Sequence, residues 1–292
     1  MSARASISQF VAPAQNQGGR KTTRRIAGAD FISTVVLHGR RIIRDARMMA
    51  QSQREGSAGE FFEPGREGES RQRLFNTISP VYDDLNDRFS FGLHRVWKRM
   101  AVKWCQAKRG DTVLDSCCGS GDLAQILREV VGRDGRVVGL DFSQDMLQDA
   151  QRRDSSNGLI EWVQGDALDL PYPPGYFDAA TMGYGLRNVS DIPRALRELH
   201  RVLRDGGRVA ILDFNNSDDQ IVDGLQEFFL ESLVVPAAEA EGVGEEYRYL
   251  RPSIKKYPKG AALERMARDS GFSFARYYEI GFGLMGCLVC CK

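Results

Sequence analysis

The chain has 292 residues, 42% hydrophobic and 27% charged, with a formal net charge of +1. The near-neutral total conceals a division: residues 1–54 carry ten Arg and Lys against Asp30 and Asp45, a net of +8, which leaves −7 on the rest. That is room for one sizeable core plus an extension, and an acidic folded part argues against nucleic acid as a partner, because phosphate contacts demand the opposite sign.

Residues 1–54 are rich in Arg, Ser and Ala, poor in acids, and lack the long apolar core of a secretory signal. This is the composition of an organelle transit peptide, chloroplast or mitochondrial, although a disordered basic arm would share it. Residues 42–49 read as a short basic amphipathic helix. Residues 55–70, rich in Gly and Glu, read as a linker, and 71–292 as the single folded domain. No run reaches the roughly 18–20 apolar residues that a membrane-spanning helix needs.

From about residue 71 short apolar runs alternate with amphipathic stretches. Strands are expected at 112–115, 136–141, 160–163, 176–182 and 208–214. Helices are expected at 122–131, at 143–153 with Ser143 as cap, and at 191–203, the last closed by Asp205-Gly-Gly207. This alternation means a doubly wound, mostly parallel α/β sheet, and the nearly continuous apolar runs mean strands buried on both faces. A helix at 260–270 and strands at 274–280 and 284–290 then suggest a C-terminal antiparallel hairpin. Leu225, Phe228, Phe229 and Leu233 share one helical face, which reads as core packing, a groove or an interface.

The six cysteines form no disulfide framework. Cys287 and Cys290 have half of a zinc spacing with no second pair, so no metal site is expected and the cysteines read as small buried hydrophobes.

The loop Leu114-Asp-Ser-Cys-Cys-Gly119-Ser-Gly121-Asp122 lies between a strand and a helix, where open α/β sheets bind their ligands. Gly119 and Gly121, with Ser120 between them, allow close backbone approach. The string Gly119-x-Gly121-x-x-Ala124, with Asp141 twenty residues beyond Gly121, also matches a dinucleotide fingerprint. Asp122, however, puts a carboxylate where a pyrophosphate would sit on the helix N-terminus. S-adenosylmethionine carries a sulfonium and an ammonium instead, which Asp115 and Asp122 would favour. Asp141 can accept both ribose hydroxyls, and Asp166 with Ala167 can meet the adenine. Charge therefore favours methyl transfer over a nicotinamide-dependent oxidoreductase.

Three longer motifs add to this. Tyr82-Asp-Asp-Leu-Asn86-Asp-Arg-Phe-Ser90-Phe-Gly-Leu-His94-Arg-Val-Trp97, Gly185-Leu-Arg187-Asn188, and Arg201-Val-Leu-Arg-Asp-Gly-Gly-Arg-Val-Ala-Ile-Leu-Asp213-Phe-Asn215 resemble the UbiE/MenG family of quinone C-methyltransferases, over about residues 71–292. Leu85 stands where a Met is usual, and Cys117 has replaced the first loop glycine. Cys117-Cys118, the run from Met182 through Gly183 to Asn188, and the Gly-Leu-Met-Gly-Cys-Leu ending look most like the chloroplast and cyanobacterial branch. The resemblance implies the class I methyltransferase sheet, strand order 3-2-1-4-5-7-6, with S-adenosylmethionine as cofactor. It also implies a reduced prenylated naphthoquinone as acceptor, with ubiquinone- and menaquinone-type quinols as the alternative. A lipid-soluble acceptor implies peripheral membrane contact; the oligomeric state stays open, with a homodimer as one expectation.

Methylating a ring carbon requires a quinol deprotonated to its phenolate. With a phenol pKa near 10, that costs roughly 4 kcal/mol at neutral pH. Arg187 is the candidate for favouring the anion, Asn188 for orienting the hydroxyl, and Tyr82 or His94 for relaying the proton. Tyr82 reads equally as a lid, and His94 as a packed core imidazole. A non-catalytic module that keeps the cofactor fold is the remaining rival.

Overall fold

The computed structural model describes residues 74, 76–78, 90 and 92–292. Tyr82 and the expected helix at 42–49 lie outside them. Helix α1 (Leu93–Cys105) leads into β1 (Thr112–Ser116), α2 (Asp122–Val131), β2 (Arg136–Asp141), α3 (Gln144–Arg153) and β3 (Ile160–Gln164). Next come β4 (Phe177–Gly183), a 3-10 turn (Leu186–Asn188), α4 (Ile192–Val202) and β5 (Leu203–Phe214). Then α5 (Gln220–Phe229), a π-helical turn (Leu230–Val234), α6 (Val235–Ala240), α7 (Gly244–Arg248) and α8 (Leu250–Lys256) form a helical insertion. The chain continues with α9 (Gly260–Asp269), β6 (Phe274–Ile280) and β7 (Met285–Cys291).

The seven strands run in the order β3-β2-β1-β4-β5-β7-β6. All neighbours are parallel except β7, which pairs antiparallel with both β5 and β6. Successive side chains of a strand point to opposite faces, and the core divides accordingly. Val113, Val137, Ala179 and Ala210 face α1 and α2, whereas Leu114, Val138, Ala180 and Val209 face α4 and α9. A third apolar cluster gathers Leu230, Val234, Ala238, Tyr247, Tyr249 and Ile254 of the insertion with Leu74, Ile78 and Met146.

Local chemistry explains the boundaries. Ser143 caps α3 by accepting from the Met146 amide at 3.2 Å, and Asp191 caps α4 by accepting from the Arg194 amide at 2.9 Å. Both satisfy a helix-end donor that lacks an intrahelical partner.

Two expectations need correction. The expected turn Asp205-Gly-Gly207 is absorbed into β5: Leu203 pairs with Phe177 and Arg208 with Ala179, so the intervening residues bulge out of the ladder. Gly206, at φ +77°, supplies the left-handed conformation that such a bulge needs. The core-packing reading of Leu225 and Leu233 also fails, which leaves the groove and interface readings of that face. Leu225 and Leu233 are 54% and 50% exposed, and the buried positions are Gln226, Leu230, Val234 and Ala238. The spacing of four throughout this set coincides with the π-helical turn, which inserts extra rotation and turns Leu233 away from the core.

Candidate functional site

Beyond the carboxyl ends of β1, β2 and β4 lies a cavity of about 580 Å³. Gly119, Ser120, Asp122, Asp141, Asp166, Ala167, Gly183 and Asn188 from the sequence reading line it. Parallel strands end on one side of the sheet, so residues far apart in sequence converge there.

Asp141 organises the wall. Its carboxylate accepts from the Gly119 amide at 2.8 Å and from the Ser143 amide at 2.9 Å, which joins the glycine loop to the start of α3. Burial pushes its pKa up, opposed by these amides. Each oxygen has a further lone pair to offer a ligand hydroxyl. Asp166 is exposed, accepts from the Leu168 amide at 2.9 Å, and stands beside buried Ala167. Gly119 has φ +51°, and a Cβ there would meet no heavy atom within 4 Å, so a ligand can lie directly on the backbone. Gly183 serves differently: an added Cβ would come within 2.7 Å of Leu123 Cδ1, so its absence lets α2 close on β4.

Gly121 and Asp115 stand off the wall. Gly121, at φ +87°, packs its backbone against Trp162. Asp115 is fully buried, accepts from Thr181 Oγ1 at 2.8 Å, and is pushed up to about 7 by burial against the opposing pulls of Thr181 and Lys98. It therefore supplies less negative charge than the sequence suggested. Asp122 does reach the cavity, but Lys98 Nζ lies 2.7 Å from one oxygen and an Arg153 nitrogen 3.1 Å from the other. Burial raises its pKa; the cations outweigh this and hold the carboxyl below its ordinary value. Of the four acids, then, Asp141 and Asp166 face the cavity without an ion-pair partner among the described residues.

Arg187 is likewise behind the wall. Its guanidinium pairs with Asp213, donates to Ser253 Oγ at 3.0 Å, and lies over the Phe214 ring. Both partners of the pair are buried, which compensates the charge that the sequence reading assigned to a phenolate. Asn188 is on the wall, its Nδ2 donating to the Tyr184 carbonyl at 2.9 Å and Tyr249 OH 3.4 Å from its Oδ1. His94 is buried, with Nδ1 3.0 Å from Ser90 Oγ, and does not line the cavity. Cys117 and Cys118 do line it, with burial pushing both thiols well up, the opposite of an activated nucleophile. Among the described residues no group of three or more His, Cys, Asp or Glu is placed to hold a metal ion.

Lys98 escaped the sequence reading. Lys98 had a usable signal: it follows His94 by four residues, on the α1 face that buries Ala101, Val102 and Cys105. A lysine on an apolar face is rarely buried without a partner. The folded insertion brings Tyr249 to Asn188.

A seven-stranded sheet of this order, with an inboard antiparallel strand and a carboxylate-bearing cavity around an open glycine backbone, defines a class I S-adenosylmethionine-dependent methyltransferase. Residues 66–292 match the ubiE/COQ5 methyltransferase family. The chain belongs to that family, and it is a methyltransferase. A 2-phytyl-1,4-naphtoquinone methyltransferase from Synechococcus elongatus is 52% identical over 219 residues, 74% of this chain and 94% of that one. A chloroplastic 2-phytyl-1,4-beta-naphthoquinone methyltransferase from Arabidopsis thaliana is 52% identical over 224 residues, 75% of this chain and 86% of that one. Among solved structures, a SAM-dependent methyltransferase from Thermotoga maritima shares the fold with a TM-score of 0.54 at 19% identity, covering 75% of this chain and 99% of that one.

Proposed function

We propose that this enzyme methylates a ring carbon of reduced 2-phytyl-1,4-naphthoquinone, the last methylation of phylloquinone synthesis, and that it works in the plastid. The observation that carries the acceptor is 52% identity, across most of the domain, to relatives named for that acceptor. The basic, acid-poor residues 1–54 and the chloroplastic relative support the compartment.

When bound, S-adenosylmethionine would supply a methyl group on a positively charged sulfur that leaves with the carbon–sulfur electrons, while the ring carbon that takes the methyl gives up its hydrogen as a proton to restore the aromatic quinol. Asp141 holds the ribose hydroxyls, and Asp166 and Ala167 meet the adenine. Asn188 orients the acceptor: Nδ2 donates to the Tyr184 carbonyl and keeps a second N–H, and Oδ1, with Tyr249 OH 3.4 Å away, keeps a lone pair that accepts a hydrogen bond from a quinol hydroxyl. Arg187, neutralised by Asp213, holds the 3-10 turn that presents Asn188 rather than meeting the phenolate itself. Positioning two reactants in one cavity supplies much of the rate without a covalent intermediate. The phytyl tail keeps the acceptor in a bilayer, so the enzyme must come to the lipid surface. Phe282, 97% exposed on the turn between β6 and β7, with exposed Ile221 and Leu225 of α5, supports peripheral contact there.

Labelled cofactor and a panel of chemically reduced quinones test this. Ring-methyl label should enter phytyl naphthoquinol at least about tenfold faster than a benzoquinol of equal tail, the scale on which one fused apolar ring is discriminated. Faster labelling of the benzoquinol would overturn the acceptor, and label in no quinol would overturn the activity.

A further inference from the structure

S-adenosylmethionine is a nucleoside at one end and an amino acid at the other, and the cavity has matching ends. Asp141 and Asp166 follow β2 and β3 and suit the nucleoside. The glycine loop and the start of α2 remain for the amino acid, whose carboxylate requires a cation and whose ammonium requires an anion.

Among the described residues that line the cavity, Lys98 is the one with a cationic side chain. It is buried at 5% exposure and comes from α1, outside every loop of the sequence-derived site. Its ammonium has three donors, and one is directed to Asp122 Oδ2 at 2.7 Å. Asp122 in turn is held from its other side by Arg153, which also donates to the Ser120 carbonyl at 3.4 Å. The result is a fixed, half-desolvated pair of opposite charges at the mouth of the glycine loop. Burying a lysine is costly unless its charge is used, and Asp122 could be neutralised by Arg153 alone.

We infer that Lys98 anchors the cofactor's carboxylate, with Asp122 beside it taking the ammonium, so that one zwitterion recognises another. This rests on the methyltransferase reading and reassigns the amino-acid end of its site. It also explains how a carboxylate can stand at a helix start beside a ligand that is itself half anionic: the pair offers both signs, where Asp122 alone would repel the carboxylate.

Calorimetry with two ligands tests the assignment: S-adenosylhomocysteine, and S-adenosyl-3-thiopropylamine, the same molecule without its carboxylate. A charge-assisted hydrogen bond is lost in Lys98→Met, so affinity for S-adenosylhomocysteine should fall about 10- to 100-fold. Affinity for the decarboxylated ligand should change less than about threefold, and Lys98→Arg should restore most of the discrimination. Equal losses for both ligands would overturn the inference, leaving Lys98 a partner of Asp122 only, as would no loss for either. If Lys98→Met does not fold, Lys98→Gln is compared with Lys98→Arg on the same two ligands. Wild-type protein that binds neither ligand would instead refute the cofactor assignment itself.

Discussion

Asp115 and Asp141 both end buried strands of the sheet, yet they are held differently. Asp141 is fastened by the Gly119 and Ser143 amides, whereas Asp115 accepts from the Thr181 hydroxyl with lesser pulls from the Ala124 amide and Lys98, and burial lifts it from 3.8 to about 7. A carboxyl raised in the folded state favours folding while protonated. Its contribution is complete below the unfolded pKa of 3.8 and is lost as pH rises through about 7. Asp115→Asn keeps an oxygen for Thr181 and cannot ionise. In urea titrations the variant should match wild type near about pH 4 and exceed it at about pH 8; parallel curves would mean that Asp115 stays charged when folded. At this scale the acids were legible in the sequence and their pairing was not. Lys98 lies 24 residues before Asp122 and Arg153 31 after it, and Asp213 lies 26 after Arg187. Only the folded sheet decides which charges meet, so a count of acids overstated the negative charge of the site.

The strands and the helices on the sheet announced themselves, because continuous apolar runs and Ser or Asp caps are local signals. Helix α2, β2 and β6 begin and end where periodicity placed them. The insertion was less legible because a π-helical turn breaks the 3.6-residue period on which the reading relies. That difference has an energetic signature. Leu230, 2% exposed in the third apolar cluster, should cost about 2–5 kcal/mol when replaced by Ala. Leu233→Ala, on an exposed position, should stay within about 0.5 kcal/mol. Equilibrium unfolding of the two variants measures both, and the reverse ranking would restore the uninterrupted α-helix.

For the molecule as a whole, access to a lipid-dissolved acceptor and chemistry on it are separable. Phe282→Ser with Leu225→Ser should lower methylation of phytyl naphthoquinol in vesicles by about tenfold, since each exposed apolar group gives up roughly 1.5 kcal/mol or more of lipid burial. Turnover of a short-tailed, water-soluble naphthoquinol should be unaffected; a parallel loss in both assays would locate these residues in the active cavity instead. Strand order was legible only through the resemblance, since no local signal says that β7, which follows β6 in the chain, lies inboard of it. That inversion governs assembly. Until residues 285–291 have been synthesised, β5 offers a long unpaired margin and β6 has nothing to pair with. The nascent domain therefore passes through an interval in which its longest strand is open to aggregation, and this is where a chaperone would be needed.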